Sequence, residues 1–258
     1  MASNVLDMRR PKLLVVSSTK ELDKKALALS KKVMLPFFGN LESLKINSMN
    51  SLSGYFLVVS RDFIYLKRGL TNKSNPIFCN FLKWNKEGKR NNLIKTMRGL
   101  PRQSVIIDAT AGFGKDALVF SSLVKKVILI ERVPWMSSLL EDGIKNSKEL
   151  LPNLMNTKLF CSDSKEYLSG LKSKPDAIYI DPIFGNKSKS KAKSEVQALR
   201  DLTIQTKEEE LLVLALKKAK NRVVVKRHRK TKNLAGLKPT YSLKGRVIRY
   251  DIYSLKLS

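Results

Sequence analysis

The sequence predicts an α/β protein: a doubly wound, mostly parallel sheet with an antiparallel C-terminal hairpin over residues 91–258, preceded by a small α/β domain over residues 1–90. Three observations carry this. From about residue 91, short β-rich apolar runs alternate with helical stretches, the pattern of a parallel sheet covered by helices. The last two β-rich runs are split only by Gly245-Arg246, too short for a crossover helix, which suggests an antiparallel edge. And 43% of the 258 residues are hydrophobic, enough for a sizeable core despite the charge.

In the N-terminal domain, residues 12–17 read as a buried strand. Leu22, Ala26, Leu29 and Val33 recur at helical spacing, so residues 19–34 read as a helix capped by Thr19 and ended by Pro36 and Gly39. Tyr55 to Val59 and Phe63 to Lys67 are β-rich and joined by Ser60-Arg61-Asp62, a hairpin. Residues 71–92 are polar with scattered aromatics and read as loop. Further on, strands are expected at Val105 to Ile107, Val127 to Ile130, Leu159 to Cys161, Ala177 to Ile180, Arg222 to Val225, Tyr241 to Lys244 and Val247 to Leu255. Helices are expected at Lys115 to Leu123, Trp135 to Leu151 and Lys207 to Ala219. Trp84 and Trp135 read as packing residues. Ligands of such sheets bind outside the carboxyl ends of the strands, so the loops there hold the chemistry.

The first such loop is Asp108-Ala109-Thr110-Ala111-Gly112-Phe113-Gly114-Lys115-Asp116. Gly112 and Gly114 let the backbone turn tightly and approach a ligand with no Cβ in the way. Glu131 closes the next strand, 23 residues after Asp108, where a carboxylate can accept hydrogen bonds from both ribose hydroxyls of an adenosyl group. Two cofactors compete for this loop. Gly112 to Ala117 fits the dinucleotide pattern G-x-G-x-x-A. Four residues, Asp108 to Ala111, separate the strand from the first glycine, however, where dinucleotide sites place it close to the strand. D-x-T-x-G-x-G instead resembles the S-adenosylmethionine loop D/E-x-G-x-G-x-G, with Thr110 replacing the first glycine. That cofactor has no pyrophosphate to seat, and its methionine ammonium favours a carboxylate such as Asp108 or Asp116. With a terminal antiparallel edge, the combination is typical of Rossmann-like methyltransferases.

The second loop is Asp181-Pro182-Ile183-Phe184, delivered by a buried strand. It resembles the D/N-P-P-Y/F loop of methyltransferases that modify nucleobase amines. An exocyclic amine is a poor nucleophile because its lone pair is delocalised into the ring. Asp181 and a carbonyl near Pro182 can accept its two N–H bonds, orient the nitrogen and stabilise developing charge. Phe184 can stack on the base. A strand that simply ends in a proline turn, with Phe184 in the core, is the competing reading.

The formal charge is +28, from 50 Lys and Arg against 22 Asp and Glu. It points to a polyanion, although Lys-rich composition also arises by drift in AT-rich genomes. Position decides between these readings. Leu211 to Tyr250 contains 13 basic residues and no acid, and Lys187, Lys189, Lys191 and Lys193 follow Phe184 closely. Candidate RNA contacts are those four lysines with Lys226, Arg227, Arg229 and Lys230. The one histidine, His228, lies inside a basic run, which excludes multi-His metal sites, and no metal is expected. Cys79 and Cys161 match no ligand spacing and read as reduced thiols. The longest apolar run, Leu211 to Leu216, falls far short of the roughly 20 residues of a membrane span. A cytoplasmic protein without membrane attachment is expected.

These motifs resemble the small-subunit ribosomal RNA methyltransferase J family. The resemblance rests on Asp108 to Asp116, Glu131-Arg132, Asp181-Pro-Ile-Phe184 with its lysines, Arg222-Val-Val-Val-Lys-Arg227 and Arg249-Tyr-Asp-Ile-Tyr253, and covers roughly residues 100–255. It implies methylation of the N2 amine of a guanosine near the 3′ end of 16S rRNA. S-adenosyl-L-methionine would be the cofactor, S-adenosyl-L-homocysteine the product, and 16S rRNA or the small ribosomal subunit the partner, with a monomer expected. By position it implies cofactor contacts at Lys115, Asp116, Glu131, Arg132, Asp163, Ser164 and Asp181. Other nucleobase amines, or a non-catalytic ribosome-binding role, stay open at this point.

Overall fold

The computed structural model describes residues 13–43, 54–69, 75–87, 90–182, 197–198, 201–203 and 208–255. They fall into two compact units, one drawn from Met1–Phe78 and Gly185–Ile204, the other from Cys79–Phe184 and Gln205–Ser258.

The first unit is a four-stranded sheet in the order β2-β1-β3-β4, built from β1 (Leu13–Ser17), β2 (Phe37–Asn40), β3 (Tyr55–Val59) and β4 (Ile64–Arg68). β1 pairs in parallel with β2 and β3, while β3 and β4 form the expected antiparallel hairpin. Helix α1 (Asp23–Val33) buries Ala26, Leu29 and Val33, three of the four residues that announced it. It begins later than its periodicity suggests, because Lys20–Leu22 form a 3-10 turn and the Thr19 side chain caps nothing. Met34, in the left-handed region at φ +56°, ends it two residues before Pro36, and the chain then adds β2, which contains Gly39 and is a strand too short and too mixed to read in the sequence. Tyr55 donates from its hydroxyl to Asp201 at 2.8 Å, which ties the returning segment 201–203 to β3.

The second unit is a seven-stranded sheet in the order β10-β11-β9-β8-β5-β6-β7. Its strands are β5 (Val105–Asp108), β6 (Lys126–Glu131), β7 (Thr157–Cys161), β8 (Ala177–Ile180), β9 (Arg222–His228), β10 (Tyr241–Lys244) and β11 (Ile248–Ser254). β5 to β9 pair in parallel, and β11 and β10 run antiparallel, as expected. Helices α2 (Phe81–Lys86) and α3 (Asn91–Thr96) precede the sheet, and α4 (Ala117–Leu123), α5 (Pro134–Ser147), α6 (Ser164–Ser169) and α7 (Glu208–Lys218) connect its strands. α2 corrects the loop expected over residues 71–92. Phe81 and Trp84 are buried on one helical face, and Asn80 caps the helix by accepting from the Lys83 N–H at 2.9 Å. With one apolar pair per turn and no longer periodicity, so short a helix leaves little trace in sequence.

The central strands are apolar on both faces. Ile107, Ile178, Ile180, Val223 and Val225 pack under Leu211, Leu212 and Ala215 of α7. On the opposite face Tyr179 meets Phe120 of α4 edge-on, with ring centroids 5.0 Å apart. Trp84 and Trp135 are buried in packing. Chain order runs β5-β6-β7 to one side and returns to β8 on the other. The strand order therefore reverses between β5 and β8, the switch point at which sheets of this kind form a ligand crevice at the carboxyl ends. Among the described residues no helix is long and apolar enough to cross a membrane, and no group of three or more His, Cys, Asp or Glu could hold a metal ion.

The turn after β9 is shaped by one buried cation. Arg249 of β11 pairs side-on with buried Asp251, Nε to Oδ1 at 2.8 Å and Nη2 to Oδ2 at 3.1 Å. Its Nη1 donates to the carbonyls of His228, Arg229 and Thr231 at 3.3, 2.8 and 2.8 Å. Removing the guanidinium strands both a buried carboxylate and three carbonyls. Arg249→Met is expected to lower unfolding free energy by about 3–5 kcal/mol in urea denaturation; a loss below about 1 kcal/mol contradicts this.

Candidate active site

Two loops meet at the crevice. β5 ends on Asp108, which is 1% exposed, and β8 runs beside it in register, Asp108 opposite Tyr179. Each strand hands its chain to a short turn locked to the other: the Ala109 N–H donates to the Tyr179 carbonyl at 2.9 Å, and the Asp181 N–H donates to the Thr110 hydroxyl at 2.6 Å. Thr110, standing where a glycine is common, thus fixes the backbone of Asp181.

The turn needs its glycines for different reasons. Both take left-handed φ, +53° at Gly112 and +78° at Gly114. A Cβ at Gly114 would collide with Leu140 of α5 and press on Phe81, so this glycine serves close packing. A Cβ at Gly112 would meet nothing nearer than the Thr110 carbonyl at 3.9 Å, so this glycine borders open space. Its N–H donates to Glu131 Oε2 at 2.9 Å, and the Val133 N–H donates to Oε1 at 2.8 Å. Glu131 is therefore aimed from the end of β6 by backbone bonds, with a further one from Arg132. Burial raises its pKa above the ordinary value, and the Val133 and Gly112 bonds oppose that rise.

Beneath the turn lies a charged network. Asp116, buried just ahead of α4, accepts from the Tyr179 hydroxyl at 2.6 Å and pairs with Arg90 at the start of α3. Lys226 of β9 bridges two carboxylates, 2.6 Å from Asp181 Oδ2 and 3.2 Å from Asp116 Oδ2. Among the described residues Asp181 Oδ1 has no hydrogen-bond partner. The Tyr179 hydroxyl is held protonated, its pKa raised well above 10.0 by burial and then by Asp181.

The structure thus gathers Asp108, Gly112, Gly114, Asp116, Glu131, Asp181 and Lys226 at the strand ends. Asp163 follows β7 and caps α6, Oδ1 accepting from the Lys165 and Glu166 N–H groups. Ser164 donates from its hydroxyl to the Ala109 carbonyl, joining that turn to the first loop. Lys115 points to α2, with Nζ 2.5 Å from Glu87 and 5.7 Å from the Trp84 ring centre. Arg132 is half-buried beside Glu131, and Pro182 is buried after Asp181. Arg227 is half-buried and donates to the Lys232 carbonyl at 2.9 Å. Arg229 and Lys230 are exposed, and with His228, Arg246 and Val247 they line a shallow cavity of about 530 Å³. Phe184, Lys187, Lys189, Lys191 and Lys193 lie outside the described residues.

Sequence reasoning missed the roles of Arg90, Thr110 and Tyr179. A signal existed for Tyr179. It stands two residues before Asp181 in an otherwise aliphatic strand, and a buried hydroxyl needs a partner. Nothing local marks Arg90, which reaches Asp116 across 26 residues.

Comparison with known proteins agrees with this fold. Residues 41–255 match SAM_MT, a family of SAM-dependent methyltransferases. The chain is 36% identical over 227 residues to the protein named ribosomal RNA small subunit methyltransferase J in Coxiella burnetii, covering 83% of this chain and 89% of that one. To the Legionella pneumophila protein of the same name it is 39% identical over 193 residues, 70% of this chain and 77% of that one. Among solved structures, a SAM-dependent methyltransferase of Neisseria gonorrhoeae shares the fold at a TM-score of 0.68 and 23% identity, covering 94% of this chain and 96% of that one.

Asp108 gives the site a measurable signature. Burial pushes its carboxyl from 3.8 up to about 7, against the Thr110 N–H bond, which lowers it. Between those values the folded protein keeps a proton that the unfolded chain has released, so stability from this group is lost as pH rises through the window. Asp108→Asn is expected to flatten the fall in unfolding free energy between about pH 4 and pH 7. A slope equal to that of the wild type contradicts the assignment.

Proposed function

The chain belongs to the SAM-dependent methyltransferase family of ribosomal RNA small subunit methyltransferase J, and from that premise we propose that it methylates the N2 amine of a guanosine near the 3′ end of 16S rRNA. The observation that carries this reading is the Asp181 carboxylate, fixed at the crevice with one oxygen unengaged among the described residues.

The residues at the crevice suit S-adenosyl-L-methionine. Glu131 presents a backbone-oriented carboxylate that can accept from a ribose hydroxyl, and Gly112 leaves open space beside it. Asp108 and Asp116 supply oxygens that can accept hydrogen bonds from a cationic ligand. When bound, this cofactor supplies a methyl group activated by a sulfonium, and S-adenosyl-L-homocysteine remains after transfer. Asp181 Oδ1 accepts one N–H of the target amine, which orients the nitrogen and stabilises the charge that develops on it. A carbonyl beside Pro182 would take the second N–H, and Phe184 would stack on the base. The amine nitrogen gains the methyl and releases one proton. No strong base is required, because a methylated ammonium is acidic.

Exposed Arg229 and Lys230, with Lys187, Lys189, Lys191 and Lys193, would hold the RNA backbone, giving an affinity that falls with salt. On this reading the protein works in the cytoplasm as a monomer, on 16S rRNA or the small subunit, without a metal ion.

Tritiated methyl transfer from S-adenosyl-L-methionine to small ribosomal subunits, followed by nucleoside analysis, tests it. N2-methylguanosine is expected, and Asp181→Ala is expected to lower transfer at least about 100-fold with its melting temperature retained. A methylated adenine or cytosine would overturn the guanine assignment. An Asp181→Ala variant as active as the wild type would remove that residue from the mechanism.

A further inference from the structure

We propose that Lys226 is a positioning residue for methyl transfer: it fixes the Asp181 carboxylate so that the opposite oxygen faces the acceptor amine. The inference deepens the methyltransferase reading above and rests on it. Lys226 belongs to the acid-free basic stretch, and its composition suggests an RNA phosphate contact. Its geometry points elsewhere.

β8 and β9 are parallel neighbours with Ile180 opposite Val225, so Asp181 and Lys226 leave adjacent strands side by side. The Lys226 side chain is 19% exposed, and its ammonium already lies 2.6 Å from Asp181 and 3.2 Å from Asp116. A phosphate would have to displace two carboxylates to reach it. Arg229 and Lys230, a few residues on, are exposed and suit that task.

The far anchor is itself immobilised. Asp116 is held by the Tyr179 hydroxyl on one oxygen and by Arg90 on the other, inside a nearly dry environment. Lys226 thus connects Asp181 to a fixed point. With the Asp181 backbone held by Thr110, one carboxylate oxygen is committed and, among the described residues, the other is left for substrate. Without the ammonium, the two carboxylates would face each other with their oxygens within about 6 Å, close to Asp108 and Glu131. Like charges in so buried a setting repel, and Asp181 would swing away from the amine.

The test is steady-state methyl transfer to small ribosomal subunits by the full chain, varying RNA and cofactor separately, for Lys226→Met, Lys226→Gln and Lys226→Arg. Lys226→Met is expected to lower kcat about 100-fold, the scale of a misplaced catalytic group, with both KM values within about threefold of wild type. Lys226→Arg, which keeps the charge, is expected to recover kcat to within about tenfold. Lys226→Gln keeps a donor but no charge and is one atom shorter, and is expected to lose kcat as the methionine variant does; it decides the matter if that variant fails to fold. A wild-type kcat in the neutral variants, or a raised KM for RNA with kcat intact, overturns the proposal and restores Lys226 to phosphate binding. A wild-type protein that transfers no methyl to the subunit overturns the methyltransferase reading and this inference together.

Discussion

One ammonium group joins the two halves of the crevice. Lys226 reaches Asp116 at the end of the glycine turn and Asp181 at the end of the neighbouring central strand. Burying a lone ammonium or a lone carboxylate is costly, and pairing offsets that cost here. Arg90 and the Tyr179 hydroxyl complete the balance around Asp116. The site is thus over-determined: Asp181 is held through its N–H by Thr110 and through Oδ2 by Lys226. A carboxylate pinned twice retains one direction in which to accept a hydrogen bond, which is what orientation of a weak amine nucleophile requires.

The sheet explains why this network forms where it does. Reversal of strand order between β5 and β8 leaves their carboxyl ends without a covering connection, so polar residues collect there while the strands below stay apolar. Period-two alternation puts Asp108 and Tyr179 on the same face, which carries the Tyr179 hydroxyl to Asp116. Asp108 stands at the boundary of these two environments, and its carboxyl titrates near neutrality as a result.

Much of this was legible in the sequence. Aliphatic runs such as Val105 to Ile107 and Ala177 to Ile180 are long enough and pure enough to announce buried parallel strands, and Gly112 with Gly114 marks the turn between strand and helix. Short elements were not legible. α2 and β2 each hold too few residues for a period to emerge, and they form because the tertiary surface receives them. Charge was the most misleading guide. Net charge describes what solvent sees only if the side chains face solvent. Within the acid-free stretch, Lys226 and Arg249 are turned inward, and Arg222 donates to the Thr96 and Arg98 carbonyls. Arg229 and Lys230 remain outside. The excess of cations is thus partly framework, holding strand ends and carbonyls in place, and partly a surface for a polyanion.

The claim on which the account turns is that Asp116 and Lys226 act as one unit on Asp181. A double-mutant cycle in kcat, at saturating cofactor and RNA, measures it most directly. If the two act as a unit, Asp116→Asn and Lys226→Met each slow transfer, and the double variant is little slower than the worse single variant. Losses that multiply across the cycle would show two independent residues and contradict the account.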